Sequence, residues 1–219
     1  MSQLIYAVSS VKDGSMKYGD ATFEENRRAF IASMGADPAL ACIVRLAYEN
    51  EDYRRYHTVG IAQAGEGVMR ESKIIADALL TQKKGVTLFL PLGDCVGAVI
   101  WDKNHTALMV SHLGRHNLEQ EGGRYSVGYF MKQTGIPPEG IRIYLTPAAG
   151  KDVYPIHSLD GKGLHEAAVE QMISAGINES NIKTDIRDTT KDKQLFSHSE
   201  FLKGNRLTNG RHAVFAVLV

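Results

Sequence analysis

A chain of 219 residues is long enough to bury a substantial core, and its 25 basic against 25 acidic side chains leave no overall field to draw it to nucleic acid or an acidic membrane. Two cysteines, Cys42 and Cys95, make neither a disulfide framework nor a zinc-finger spacing. With no basic stretch leading into an apolar run at the start, and no segment near the roughly 18 apolar residues of a membrane span, a soluble cytoplasmic protein is expected.

In chain order, residues 5–8 and 43–46 read as short strands around a helix starting near Thr22, where Thr22-Phe23-Glu24-Glu25 matches a capping box. Phe30, Ile31 and Met34 share that helix's apolar face, and Gly35-Ala36-Asp37-Pro38 ends it. Apolar runs at 86–90, 96–101, 107–110, 141–145 and 213–219 read as strands, many apolar at successive positions as in strands covered on both faces. Asn117 is placed to cap a helix over 118–134, which Gly122-Gly123 would weaken in its first turns. Leu164, Ala168 and Met172 mark a helix over 164–175, with Gly176 as its stop. Residues 183–194, rich in charge and threonine, read as an exposed loop. The pattern predicts an α+β fold: one compact domain over 1–219, with a mixed, largely buried sheet flanked by helices.

The densest chemical signal lies between Cys95 and His112. Two apolar, β-branched runs flank the turn formers Asp102-Lys103-Asn104-His105. In a hairpin closed by a two-residue turn at Lys103-Asn104, Cys95 and His112 fall directly opposite, with Cβ atoms roughly 4.5–5.5 Å apart. A one-residue slip would send the two side chains to opposite faces. A cysteine at a buried strand end is ordinarily a small core residue. Asp94 beside Cys95 adds a carboxylate to the thiol and imidazole, a costly set to bury without a purpose. Two chemistries stay open: a transition-metal site, or a Cys–His nucleophile and base. A catalytic zinc takes three protein ligands and keeps a fourth position open. His57, His116 and His198 are candidates for the third, while His105 sits in the turn at the far end from Cys95.

Several short motifs follow one another in a specific order. They are Arg55-Tyr56-His57-Thr58, Ala76-Asp77-Ala78-Leu79, Gly93-Asp94-Cys95, His112-Leu113-Gly114-Arg115-His116, Thr146-Pro147-Ala148-Ala149-Gly150 with Tyr154 just after, and Phe196-Ser197-His198. Glu25-Asn26-Arg27-Arg28 precedes them and Asn209-Gly210-Arg211 leads into the final strand. In this order the chain resembles the laccase-domain family, also called multicopper polyphenol oxidase-like or purine nucleoside phosphorylase proteins, over nearly its whole length. The resemblance implies a compact α/β sandwich and a mononuclear zinc site; copper is the alternative metal, although the histidines do not make a multicopper cluster. It also implies phosphorolysis of adenosine, inosine, guanosine and methylthioadenosine, with adenosine deamination as a further activity.

Carried over by position, the implied ligands are His57, Cys95 and His112, with Asp94 beside them. Arg115, His116, His198 and Arg211 are the donors for a phosphate and nucleoside. The chain departs from the family pattern at several points. The family's Gln-Val-His-Gly reads Arg55-Tyr56-His57-Thr58, and Tyr48 is an alternative alignment to the same histidine that leaves the site one ligand short. The family's Trp-Arg after His-Ala-Gly is replaced by Arg115-His116. Three readings follow: a zinc-dependent purine nucleoside phosphorylase, a metal-free Cys–His hydrolase or deamidase, and a family member that binds without catalysis.

Overall fold

The computed structural model describes residues 3–19, 23–48 and 51–219. The capping box expected at Thr22 falls outside them, although the helix it introduces is present as α1 (Glu24–Ser33). Alternation of apolar side chains across pleated strands builds two sheets rather than the single sheet expected. Strands β1 (Leu4–Val8), β2 (Ala41–Ile43), β5 (Thr87–Leu92) and β10 (His212–Leu218) form one, in the order β1-β10-β5-β2. Strands β3 (Tyr56–Thr58), β4 (Ala78–Thr81), β6 (Val96–Asp102), β7 (Leu108–Leu113), β8 (Ile141–Leu145) and β9 (Ile182–Thr184) form the other, in the order β3-β4-β7-β6-β8-β9. The pairs β2–β5, β3–β4 and β8–β9 are parallel and the remaining ladders antiparallel.

The two sheets lie face to face, and side-chain parity divides their residues among three cores. Leu79, Val99 and Val110 of the larger sheet meet Leu88, Leu90, Val214 and Ala216 of the smaller one. The opposite face of the larger sheet, with Ala98, Ile100, Met109 and Ile143, packs on Val127 and Phe130 of α3 (Gly122–Thr134) and Ala168 and Met172 of α4 (Leu164–Ser174). The outer face of the smaller sheet sets Phe89 and Phe215 edge-on to Phe30 of α1. Strands covered on both faces explain the unbroken apolar runs of β5, β6 and β10. The arrangement is a four-layer α+β sandwich.

The helix expected over 118–134 is broken. A five-residue helix, α2 (Arg115–Glu119), ends before Glu121 enters the left-handed region at φ 58°, and α3 begins at Gly122. A Cβ at Gly122 would stand 1.7 Å from Asn117 Oδ1, so this glycine admits the buried Asn117 side chain that the break turns inward. Asn117 therefore does not cap the helix; its Nδ2 donates to the Tyr53 carbonyl at 2.5 Å. The stretch 183–194 is also not a free loop, because it opens in β9 and buries Thr189 completely.

The hairpin that carries Cys95 and His112 is present with a longer turn. His112 pairs with Gly97, and the strands are joined through Lys103–Thr106. Asp102, itself buried, explains the length. Its Oδ1 accepts from the backbone N–H of Thr106 (2.6 Å) and Ala107 (2.8 Å), and its Oδ2 from that of Asn104 (3.0 Å). The register thus moves by two residues from the expected one. An even shift leaves every side chain on its predicted face, so Cys95 and His112 still face the space between the sheets.

Candidate functional site

The link between β5 and β6, Gly93-Asp94-Cys95, crosses from the smaller sheet to the larger one. At this crossing the sheets open into a cavity of about 390 Å³. Its walls include Leu92, Cys95 and His112 from the strand ends, Tyr48 from the segment beyond β2, and Tyr154, Arg211 and Lys17. His198 and Ser199, at the start of α5 (His198–Leu202), complete the rim.

Cys95 and His112 converge over a residue without a side chain. A Cβ at Gly114 would lie 3.1 Å from Cys95 Sγ, 3.1 Å from His112 Nε2 and 2.6 Å from His112 Cε1. Gly114 keeps an ordinary φ of −86°, so it is needed for the room it leaves and not for its backbone conformation. Burial raises the Cys95 thiol to about 12, with Asp94 adding to the rise and Arg211 and the Arg115 backbone N–H opposing it. Burial likewise presses His112 down to about 4, against the pull of Asp77. The resting pair at neutral pH is a protonated thiol beside a neutral imidazole, not a thiolate–imidazolium ion pair.

Each oxygen of Asp94 is engaged by a different segment of the chain. Its Oδ1 accepts from Thr189 Oγ1 (2.8 Å) and its Oδ2 from the Ser199 backbone N–H (2.7 Å), while its carbonyl accepts from Ala149 N–H (2.8 Å). It clamps three distant segments around the crossing. Arg211 and His198 share an acceptor: Asn209 Oδ1 takes a hydrogen bond from Arg211 Nη1 (2.8 Å) and lies 2.9 Å from His198 Nδ1. An amide oxygen only accepts, so His198 carries its proton on Nδ1 and keeps Nε2 as an acceptor when neutral. Gly93 gives both side chains passage, since a Cβ there would stand 3.3 Å from His198 Cβ and 3.4 Å from Arg211 Nε.

Two predicted residues stand elsewhere. His57 is exposed on the edge strand β3, level with Leu79, and β4 lies between it and β7. Two strand spacings across and two residues along put it on the order of 10 Å from His112, whereas zinc ligands lie about 2.0–2.3 Å from the ion. Among the described residues no group of three His, Cys, Asp or Glu side chains is disposed to hold a metal ion. The zinc triad implied by resemblance is therefore not assembled among the described residues: Cys95 and His112 fit a soft metal, and none of those residues joins them as a third donor. His116 is the second displaced residue. It is exposed, stacks on Tyr53 at 5.0 Å between ring centroids, and sits 3.2 Å from Glu119 Oε2. The Arg115 side chain is exposed and points along α2 toward His116 at 3.4 Å, while its backbone approaches Cys95.

Of the two residues, Tyr48 and not His57 lines the cavity. The segment carrying it is held by Arg55, whose Nη2 donates to the Ala47 carbonyl (2.7 Å). Arg55 in turn forms a two-pronged pair with the buried Asp77, Nε to Oδ2 at 2.7 Å and Nη2 to Oδ1 at 2.9 Å. The Arg55 and Ala76-Asp77-Ala78 motifs are thus joined in the fold as a brace. Lys17 and Tyr18 of the cavity wall carried no signal in the sequence, because nothing in a short polar stretch shows that it will fold over a sheet end.

Comparison with known proteins accords with this architecture. Residues 10–161 match the family model described as multi-copper polyphenol oxidoreductase laccase. A search of curated proteins gives no match. Among solved structures, the hypothetical protein YfiH of Bacillus licheniformis superposes with a TM-score of 0.85 at 19% identity, covering 99% of this chain and 93% of that one. YlmD of Geobacillus stearothermophilus gives 0.82 at 20% identity over 99% and 91% of the two chains. Protein NMB0706 of Neisseria meningitidis, of family DUF152, gives 0.74 at 15% identity over 98% and 94%. At these identities the likeness speaks for the fold.

Proposed function

We propose, because the chain belongs to the multi-copper polyphenol oxidoreductase laccase family and its cavity sets cations beside a thiol–imidazole pair, that it binds a purine nucleoside with phosphate and splits the glycosidic bond by phosphorolysis. The observation that carries this reading is the composition of the cavity. Its volume of about 390 Å³ suits a small ligand. Arg211 and Lys17 line it as anion donors, and the aromatic rings of Tyr48 and Tyr154 supply flat walls for a base.

In this reading a phosphate oxygen attacks C1′ of the ribose, the C1′–N9 bond breaks, and its electron pair leaves with the purine. The proton that the phosphate brings ends on the departing base. In this reading Cys95 and His112 act as the relay: the thiol gives its proton to the purine and regains one through the imidazole. The same protonated thiol weakens the alternative of a Cys95 nucleophile, which acts as a thiolate.

The test is incubation of the purified protein with inosine, adenosine or guanosine, with and without phosphate, followed by separation of free base. Base should appear only with phosphate, and Arg211→Gln should raise the phosphate concentration needed. Equal base without phosphate would mean hydrolysis, and no base from any of the three would remove the proposed activity. Conversion of adenosine to inosine in the same samples would report deamination.

A further inference from the structure

We propose that Tyr48 stands at the third-ligand position of a former metal site, that the native cavity is in consequence metal-free, and that the single substitution Tyr48→His would restore metal binding with Cys95 and His112. This deepens the reading of the same cavity, since it says what the thiol–imidazole pair works with.

Three observations meet here. Cys95 Sγ and His112 Nε2 are equidistant, at 3.1 Å, from the point over Gly114, so they already converge on a space free of side chains. A thiol and an imidazole are donors that suit zinc, and such a site needs a third protein donor before it holds the ion while keeping a position open. The remaining cavity residues do not supply one. Both Asp94 oxygens are engaged by Thr189 and Ser199, and among the described residues neither His198 nor any other His, Cys, Asp or Glu joins the pair in a group of three disposed to hold an ion. His57 is separated by β4.

Tyr48 lines the same cavity as the pair and lies within electrostatic reach of Cys95. A neutral phenol is not among the zinc donors that proteins use. The Arg55–Asp77 brace, through the Ala47 carbonyl, holds the backbone immediately before Tyr48 in place. A histidine there would be delivered by a segment that is already fixed. Tyr48 is 62% exposed, so its replacement leaves the core untouched.

The experiment uses full-length protein stripped with a chelator and then given one equivalent of zinc or cobalt(II) alone. Native protein should return to metal-free on dialysis and give no cobalt–thiolate charge-transfer absorption. Tyr48→His should retain roughly one metal ion per chain, as a three-ligand site requires, and show that absorption. The double variant Tyr48→His/Cys95→Ala should lose both signals. Alkylation of Cys95 gives an independent readout, blocked by zinc in Tyr48→His and unaffected by zinc in the native chain. Native protein that holds one zinc, lost in Cys95→Ala, would overturn the proposal, as would a folded Tyr48→His that takes up no metal. Neither outcome depends on turnover, so failure here is distinct from failure to release free base.

Discussion

Two histidines are buried without charge, and this makes acid the sharpest probe of the fold. His112 lines the cavity and His212 opens β10; burial presses each from the ordinary 6.5 down to about 4. In the unfolded chain both rings take up protons as pH falls through 6.5, while the folded chain refuses them until about 4. The unfolded state therefore binds more protons throughout that window, and stability must fall as pH falls. At pH 5 the loss is about 2 kcal/mol per ring and about 4 kcal/mol for the two, a large share of the roughly 5–15 kcal/mol that holds a domain together. His165, also depressed by burial, adds in the same direction. The carboxylates held low by their partners, Asp185 and Asp188 with Glu166 and Glu200, give up their contributions mainly as pH drops below their ordinary 3.8 and 4.5, so the window between 6.5 and 5 belongs to the histidines. Urea unfolding at pH 8, 7, 6 and 5, followed by tryptophan fluorescence and circular dichroism, measures the slope. His212→Leu should remove about half of it. A stability that stays flat from pH 7 to pH 5 would refute the reasoning, because it would mean that these rings titrate as they do in water.

Two further substitutions separate the site from its scaffold. Gly114→Ala puts a methyl group 2.6 Å from His112 Cε1; overpacking of this kind costs about 1–3 kcal/mol, so the melting temperature should fall by about 2–10 °C and release of free base should drop with it. Asp102→Ala removes the acceptor for three backbone N–H groups at the far end of the same hairpin. It should cost about 3 kcal/mol, seen as a lower urea midpoint, while free-base release by the folded protein is unchanged.

Much of this was legible in the residues, and the gaps have identifiable physical causes. The Cys95–His112 hairpin was read with a turn two residues too short, because a single carboxylate, Asp102, organises the longer connection and no local pattern announces it. The face assignment survived since the shift is even. Apolar runs located β5, β6, β8 and β10 well but could not say that they belong to two sheets, because strands buried on both faces have no alternation to distinguish one sheet from another. The short strands β3, β4 and β9 escaped because their ladders, not their composition, define them. His57 and Tyr48 were both weighed, and only the strand order decides between them: an intervening β4 moves His57 to the edge. His116 and Asp94 show the opposite limit, since a residue's type and neighbours do not reveal that its polar atoms are already engaged by Glu119, Thr189 or Ser199.

The position of β10 has a consequence for how the protein comes to exist. This strand lies between β1 and β5, antiparallel to both, and the residue just before it is Arg211. During synthesis β1 and β5 emerge early and must wait, with open edges, for a partner made some 120 residues after β5. Unpaired edges of that kind invite pairing with other chains. Because the same late strand both closes the sheet and delivers the cavity's arginine, no intermediate lacking it can display the finished pocket. Fidelity of folding and competence to bind anions thus arrive in one event, and a variant that weakens β10 should lose solubility and ligand binding together.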